Sequence, residues 1–198
     1  MMTPRPFPSA DIDYQLLRDG VVTMYWRRWL LADVANELRH LGYSTIEIDA
    51  EAVTSITEFL GAIGRALAFP EYFNPNLDGL NDCMHDIATM QTASASISAG
   101  TVIVFWSYDR TFEVSQHDAR EILDIIAARA YNGLLVGHRI IVLVHTKNPD
   151  LSFTGLGGQL SHWNRREWAN ISRHPDLTPQ NSIEEGWLAE AQELDRGH

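Results

Sequence analysis

Thr101-Val102-Ile103-Val104-Phe105-Trp106 is an unbroken run of apolar, β-branched and aromatic residues, and Arg139-Ile140-Ile141-Val142-Leu143-Val144 is a second. Neither alternates polar with apolar, which is how a strand reads when both faces of a parallel sheet are covered. Between them, Ser115 to Asp118 has the form of a capping box, and Ala119, Ile122, Leu123, Ile126, Ala127 and Ala130 follow at helical spacing until Gly133. Strand, helix, strand is the βαβ grammar, with a right-handed crossover. The fold class is therefore α/β: a small, mainly parallel β-sheet in a layered arrangement with packed helices.

Working outward, Val21 to Trp26 is a short β-prone run, and Leu31, Val34, Ala35, Leu38 and Leu41 then recur at helical spacing before Gly42. Thr45 to Ala50 alternates, with Ile46 and Ile48 against Glu47 and Asp49, as a half-covered strand does. The next helix is capped by Ser55 or Thr57 and buries Ile56, Phe59, Leu60, Ile63 and Leu67 until Pro70 ends it. Thr89 to Gly100 reads as a loop returning to the sheet. Beyond Val144, His145 to Pro179 is irregular and glycine-punctuated, and Ser182 to Leu194 is an amphipathic helix. These shifts divide the chain into an N-terminal strand-and-helix extension (1–42), a central domain (43–146) and a C-terminal extension (147–198).

The 198 residues suffice for one main core without staples. Lys and Arg total 15 against 26 Asp and Glu, a formal charge of −11, which argues against direct binding of nucleic acid and for a basic protein partner. A single cysteine, Cys83, makes no internal disulfide, and Met1 to Tyr14 has three prolines and no apolar run for a signal or a span. A cytoplasmic, monomeric chain without membrane association is the expectation.

The charge is unevenly spread. From Ala66 to Asp109 there is no Lys or Arg, and Glu71, Asp78, Asp82, Asp86 and Asp109 fall in that window. Asp78, Asp82 and Asp86 recur every fourth residue and so share a helix stripe, where like charges oppose an isolated helix by about 0.2 to 0.5 kcal/mol per pair. The helix that carries them starts with Asn76 as cap, or with Asn74 as cap and Pro75 at the first position. Leu77, Leu80, Met84 and Ile87 form its apolar side. The stripe is either an ordinary solvated face or a surface that meets positive charge, and the helix dipole accounts only for Asp78.

Pro70-Glu71-Tyr72-Phe73-Asn74-Pro75-Asn76-Leu77-Asp78-Gly79-Leu80-Asn81-Asp82-Cys83-Met84 closely resembles the ribonuclease-binding segment of the barstar family of ribonuclease inhibitors. The strand and helix order from Tyr43 to about Val144 is similar as well. The resemblance implies an α/β fold with a small parallel sheet, no catalysis, no cofactor and no metal. It also implies a partner: a basic ribonuclease whose active site is plugged by an acidic helix and loop, carboxylates standing where phosphates bind. Tyr72, Asp78 and Asp82 stand where the family's aromatic and two acidic contacts stand. Asn81 replaces a tryptophan contact, and Ala128 falls at the place of a glutamate on the later helix, with Asp124 and Glu121 one and two turns earlier as displaced charges. The expected partner-binding set is Tyr72, Phe73, Asn76, Asp78, Asn81, Asp82, Asp86 and Asp124. The departures point to a nuclease unlike barnase or, alternatively, to a regulatory module that binds a basic protein other than a ribonuclease.

Enzyme signals are few. His117-Asp118 and the scattered histidines match no metal-site spacing, and Gly155 to Gly158 has no following Gly-Lys-Ser or Gly-Lys-Thr. A metal-dependent hydrolase built on Asp78, Asp82 and His85 is the remaining enzymatic reading. Cys83 reads as a packed, inert thiol. Trp163 and Trp168, flanking Asn164-Arg165-Arg166-Glu167, either pin the C-terminal extension to the domain or form a second recognition surface.

Overall fold

Along β3 (Thr101–Trp106), Val102, Val104 and Trp106 enter one buried cluster while Ile103 and Phe105 enter another. Along β4 (Ile140–His145), Ile141 and Leu143 divide from Ile140, Val142 and Val144 in the same way. This double coverage is why neither run alternates in polarity. The computed structural model describes residues 12–89, 99–153, 155–158 and 161–173. Within them, β1 (Val22–Tyr25), β2 (Ser44–Asp49), β3, β4 and β5 (His162–Trp163) form one sheet in the order β2-β3-β4-β1-β5, every pairing parallel.

One layer, over Tyr25, Val104 and Leu143, holds α1 (Ile12–Asp19) and α2 (Arg28–His40). The other holds α3 (Ile56–Ala66), α4 (Leu77–Ala88), α5 (Asp109–Val114) and α6 (Gln116–Leu135), centred on Phe59, Phe105 and Tyr108, whose rings meet at 5.3 to 5.8 Å. Ser55 caps α3 by accepting from the Glu58 N–H (3.2 Å), and Ser115 caps α6 by accepting from that of Asp118 (3.3 Å). A short α7 (Asn170–Arg173) closes the described chain.

The strands expected near 21–26, 45–50, 101–106 and 139–144 are all present. Both flanking segments contribute to the same sheet. Val22 of β1 lies beside Val142, and β5 adds an edge next to β1. β5 has two residues and no readable period; α1 and α5, of eight and six residues, are likewise too short to announce themselves. Gly133 does not stop α6. A Cβ there would stand 2.9 Å from the His138 carbonyl oxygen and 3.4 Å from that of Ala88, so the glycine serves close packing of α4 on α6.

The two tryptophans of the C-terminal segment part ways. Trp163 sits in β5 beneath the Arg173 guanidinium (4.3 Å), whereas Trp168 is 74% exposed and has no ring contact among the described residues. Most of the Thr89–Gly100 loop, the residues before Ile12 and the Ser182–Leu194 helix lie outside the described residues. No helix of the described residues is long and apolar enough to cross a membrane.

Candidate partner-binding site

The acidic loop is mounted on the end of α3. The Phe69 N–H donates to the Gly64 carbonyl (2.8 Å) and the Ala68 N–H to that of Arg65 (3.3 Å), with Ala68 at φ 52, the left-handed position such a closure needs. Pro70 then prevents any return to helix, and the Phe73 N–H donates to its carbonyl (2.9 Å). The Phe73 ring meets Phe69 edge-on at 4.9 Å and lies over Gly64, where a Cβ would stand 2.6 Å from it. Phe73, expected at the interface, is thus half-buried and holds the loop's shape.

Asn76 is the cap of α4, its Oδ1 accepting from the Gly79 N–H at 2.7 Å, which settles the choice between Asn74 and Asn76. A Cβ on Gly79 would collide with the Asn74 carbonyl oxygen, so the turn into the helix needs a glycine there. Leu80, Cys83, Met84 and Ala88 are buried, while Asp78, Asp82 and His85 are exposed and Asp86 is half-buried. Within the described residues no hydrogen bond or ion pair reaches Asp78, Asp82 or Asp86. Several carboxylates elsewhere are paired in cis, among them Glu47 with Arg39, Asp49 with Arg28, and Glu51 with Lys147, while Asp33 and Glu37 on α2 are exposed and unpaired within the described residues. Burial pushes the Cys83 thiol pKa up, with smaller contributions from Asp86 and Asp82, so the thiol is uncharged at neutral pH.

Tyr72, 75% exposed, stands on the loop next to this stripe without belonging to the loop's own packing. Asp109, from the same acidic window, is elsewhere: it opens α5, and its Oδ1 accepts from the Lys147 N–H (2.9 Å).

Two expected site residues are engaged within the chain. Asn81 Oδ1 accepts from both Nε (2.9 Å) and Nη2 (2.7 Å) of Arg129 on α6. Asp124 Oδ1 accepts from the Gly157 N–H (2.8 Å) of the C-terminal segment. Asp124 and Arg129 are five residues apart, about 140° around a helix, so they serve different flanks of α6. Asp124 is therefore turned to the extension and not to α4, and it supplies no charge beside Asp82. The same turn approaches Ala128, whose nitrogen is 3.0 Å from where a Gly157 Cβ would stand. Glu121 pairs with its neighbour Arg120 at 2.9 Å. Arg129 touches the candidate site through Asn81, and nothing in the spacing links positions 81 and 129. Among the described residues no group of three or more His, Cys, Asp or Glu side chains stands close enough to hold a metal ion.

A protein-family model described as Barstar (barnase inhibitor) matches residues 43–143, just over half of the chain. The span runs from the start of β2 into β4 and contains the loop, α4 and α6, leaving out β1, α1, α2 and β5. No curated protein matches the chain.

Proposed function

The chain belongs to the barstar family, and from that premise we propose that it is an inhibitor or immunity protein that binds a basic ribonuclease and blocks its active site with α4 and the 70–76 loop. It acts inside the producing cell, by occupancy and without chemistry of its own. The observation that carries this reading is the exposed pair Asp78 and Asp82, unneutralised in cis and bordered by Tyr72.

A ribonuclease cleft holds phosphates, so it presents cations in a concavity, and carboxylates on one helix stripe can take the phosphate positions. Unpaired acids also attract such a cleft over distance, which raises the association rate at low salt. Tyr72 anchors the rim by packing. Asp82, in the middle of the stripe, enters the cleft deepest, and Asp86 remains peripheral.

The test has two parts. Full chain is used to co-purify its native partner, and the retained protein is assayed for RNA cleavage with and without added chain. Cleavage suppressed stoichiometrically supports the inhibitor. A retained basic protein that does not cleave RNA favours the alternative regulatory module, for which the family's tryptophan and glutamate positions, here Asn81 and Ala128, leave room. Against the retained partner, Asp82→Ala should weaken binding by about 2 kcal/mol or more, as a central hot spot does, and Asp86→Ala only mildly. Equal, negligible effects reject this face.

A further inference from the structure

α4 carries three acids that no cation of the described residues neutralises, yet α6 places a guanidinium directly against the same helix. Arg129 spends Nε and Nη2 on the amide oxygen of Asn81, at 2.9 and 2.7 Å. A guanidinium has five N–H donors, so three remain, and an amide anchor leaves its full positive charge in place. No ion pair to Arg129 occurs among the described residues. The side chain is only half-buried, so the guanidinium that bridges α6 to α4 is still partly open to solvent. An aspartate at position 81 would have fixed the same fork and cancelled its charge. Asn81 fixes it and keeps the charge.

We propose that Arg129, oriented by Asn81, is a specificity-determining residue of the recognition face: a cation set beside the acidic stripe that a purely cationic cleft cannot cover. The partner that fits must offer an acceptor there, a carboxylate or a main-chain carbonyl, next to the cations that receive Asp78 and Asp82. This deepens the binding reading above and rests on it. The mechanism is rejection by like charge. Arg129 is held on Asn81, the residue next to Asp82, so cations of a basic cleft that receive Asp82 also meet Arg129, and the closer the fit the less water screens the like charges. The replacement of an aromatic contact by Asn81 is then a functional element and not a lost contact.

The experiment uses the full chain with barnase as the basic probe, and measures inhibition of RNA cleavage and association rate. Arg129→Gln removes the charge and keeps a donor for Asn81; Arg129→Ala is the second variant, and thermal melting establishes that each is folded. Both should inhibit barnase at about tenfold lower concentration than the unsubstituted chain at low salt, with the gain shrinking as salt rises. Arg39→Gln, on α2 in the opposite layer, makes the same change in net charge and should alter inhibition less than about twofold. An unchanged or weakened Arg129 variant, no inhibition by either variant, or an equal gain from Arg39→Gln overturns the proposal. Asp82→Ala, measured alongside, separates the two readings. If it has no effect while the Arg129 gain persists, the repulsion stands and the assignment of α4 as the plug falls.

Discussion

Two regions of this molecule handle charge in opposite ways. At the junction of the C-terminal segment with α2, Glu167 is 0% exposed, and its carboxylate accepts from the N–H groups of Trp26 and Arg27 (2.9 Å each), from Arg27 Nη1 (3.3 Å) and from Asn164 Nδ2 (2.5 Å). It fixes the two residues that lead into α2, whose N-cap, Arg27, makes no side-chain cap hydrogen bond of its own. Arg173 donates to three nearby carbonyls, those of Glu167 (2.5 Å), Pro149 (2.8 Å) and Trp168 (2.9 Å). On α4, by contrast, Asp78, Asp82 and Asp86 satisfy nothing within the described chain. Charge that is buried and fully bonded builds the fold; the α4 acids contribute no such bond within the described chain.

Exchanging the two roles by mutation gives the largest effect. Glu167→Ala strips four donors of their acceptor inside the protein and should cost about 3 kcal/mol or more in a denaturant titration. Asp82→Ala should leave stability within about 0.5 kcal/mol while abolishing most recognition. A Glu167 variant as stable as the parent would show that the C-terminal segment merely rests on the domain.

Acid attacks the bonded region from another direction. Burial holds the imidazoles of His145 and His138 below the usual value of 6.5, and for His145 the nearby Arg28 lowers it further. His145 Nδ1 also accepts the Ser107 N–H (3.2 Å), a bond that protonation destroys. The unfolded chain therefore binds these protons first. Stability is fully present above the unfolded value and is lost as pH falls through the folded ones. Glu51 and Glu58, held below the usual 4.5, the first by Lys147 and the second by Thr54, act in the same sense further down the scale. Urea midpoints should hold level from pH 8 to about pH 7 and then fall as pH drops below the unfolded histidine value of 6.5; a midpoint that rises on acidification contradicts the neutral, buried histidines.

Smaller again is the strain where the acidic loop is mounted. Ala68 occupies a left-handed φ that costs an L-residue about 1 to 2 kcal/mol, and glycine there gives back part of the gain through the entropy of its unfolded chain. Ala68→Gly should therefore stabilise by about 0.5 to 1 kcal/mol, read as a raised melting temperature. A loss would mean that the methyl group itself packs.

The reach of sequence reasoning follows the same division. Runs buried on both faces, such as Val102 to Trp106 and Ile140 to Val144, carry their environment in their composition, so the sheet and its parallel sense were legible. The loop's mount was legible in part: Pro70 marked where α3 must end, but not that Ala68 would take the left-handed turn. Asp78, Asp82 and Tyr72 could be picked out because they lie within one short segment. What escaped depends on contacts between distant segments: Asn81 with Arg129, Asp124 with Gly157, Glu167 with the start of α2. A polar residue's role is set by what arrives beside it, and one-dimensional spacing says nothing of arrivals from 33 to 140 positions away.

The finest test falls on the border between the two regimes. Asp86 is half-buried beside Cys83, whose thiol pKa it helps to raise, yet no donor of the described chain reaches it. If it is displayed charge, it only repels Asp82 one turn away and sits in the half of α4 where the helix dipole disfavours an acid. Asp86→Asn should then stabilise the protein by about 0.2 to 0.5 kcal/mol and lower the Cys83 pKa, detectable as faster thiol modification at fixed pH. If instead the amide destabilises the fold, the carboxylate is structural. The stripe available to a partner then shrinks to Asp78 and Asp82, and partner affinity should follow those two residues alone.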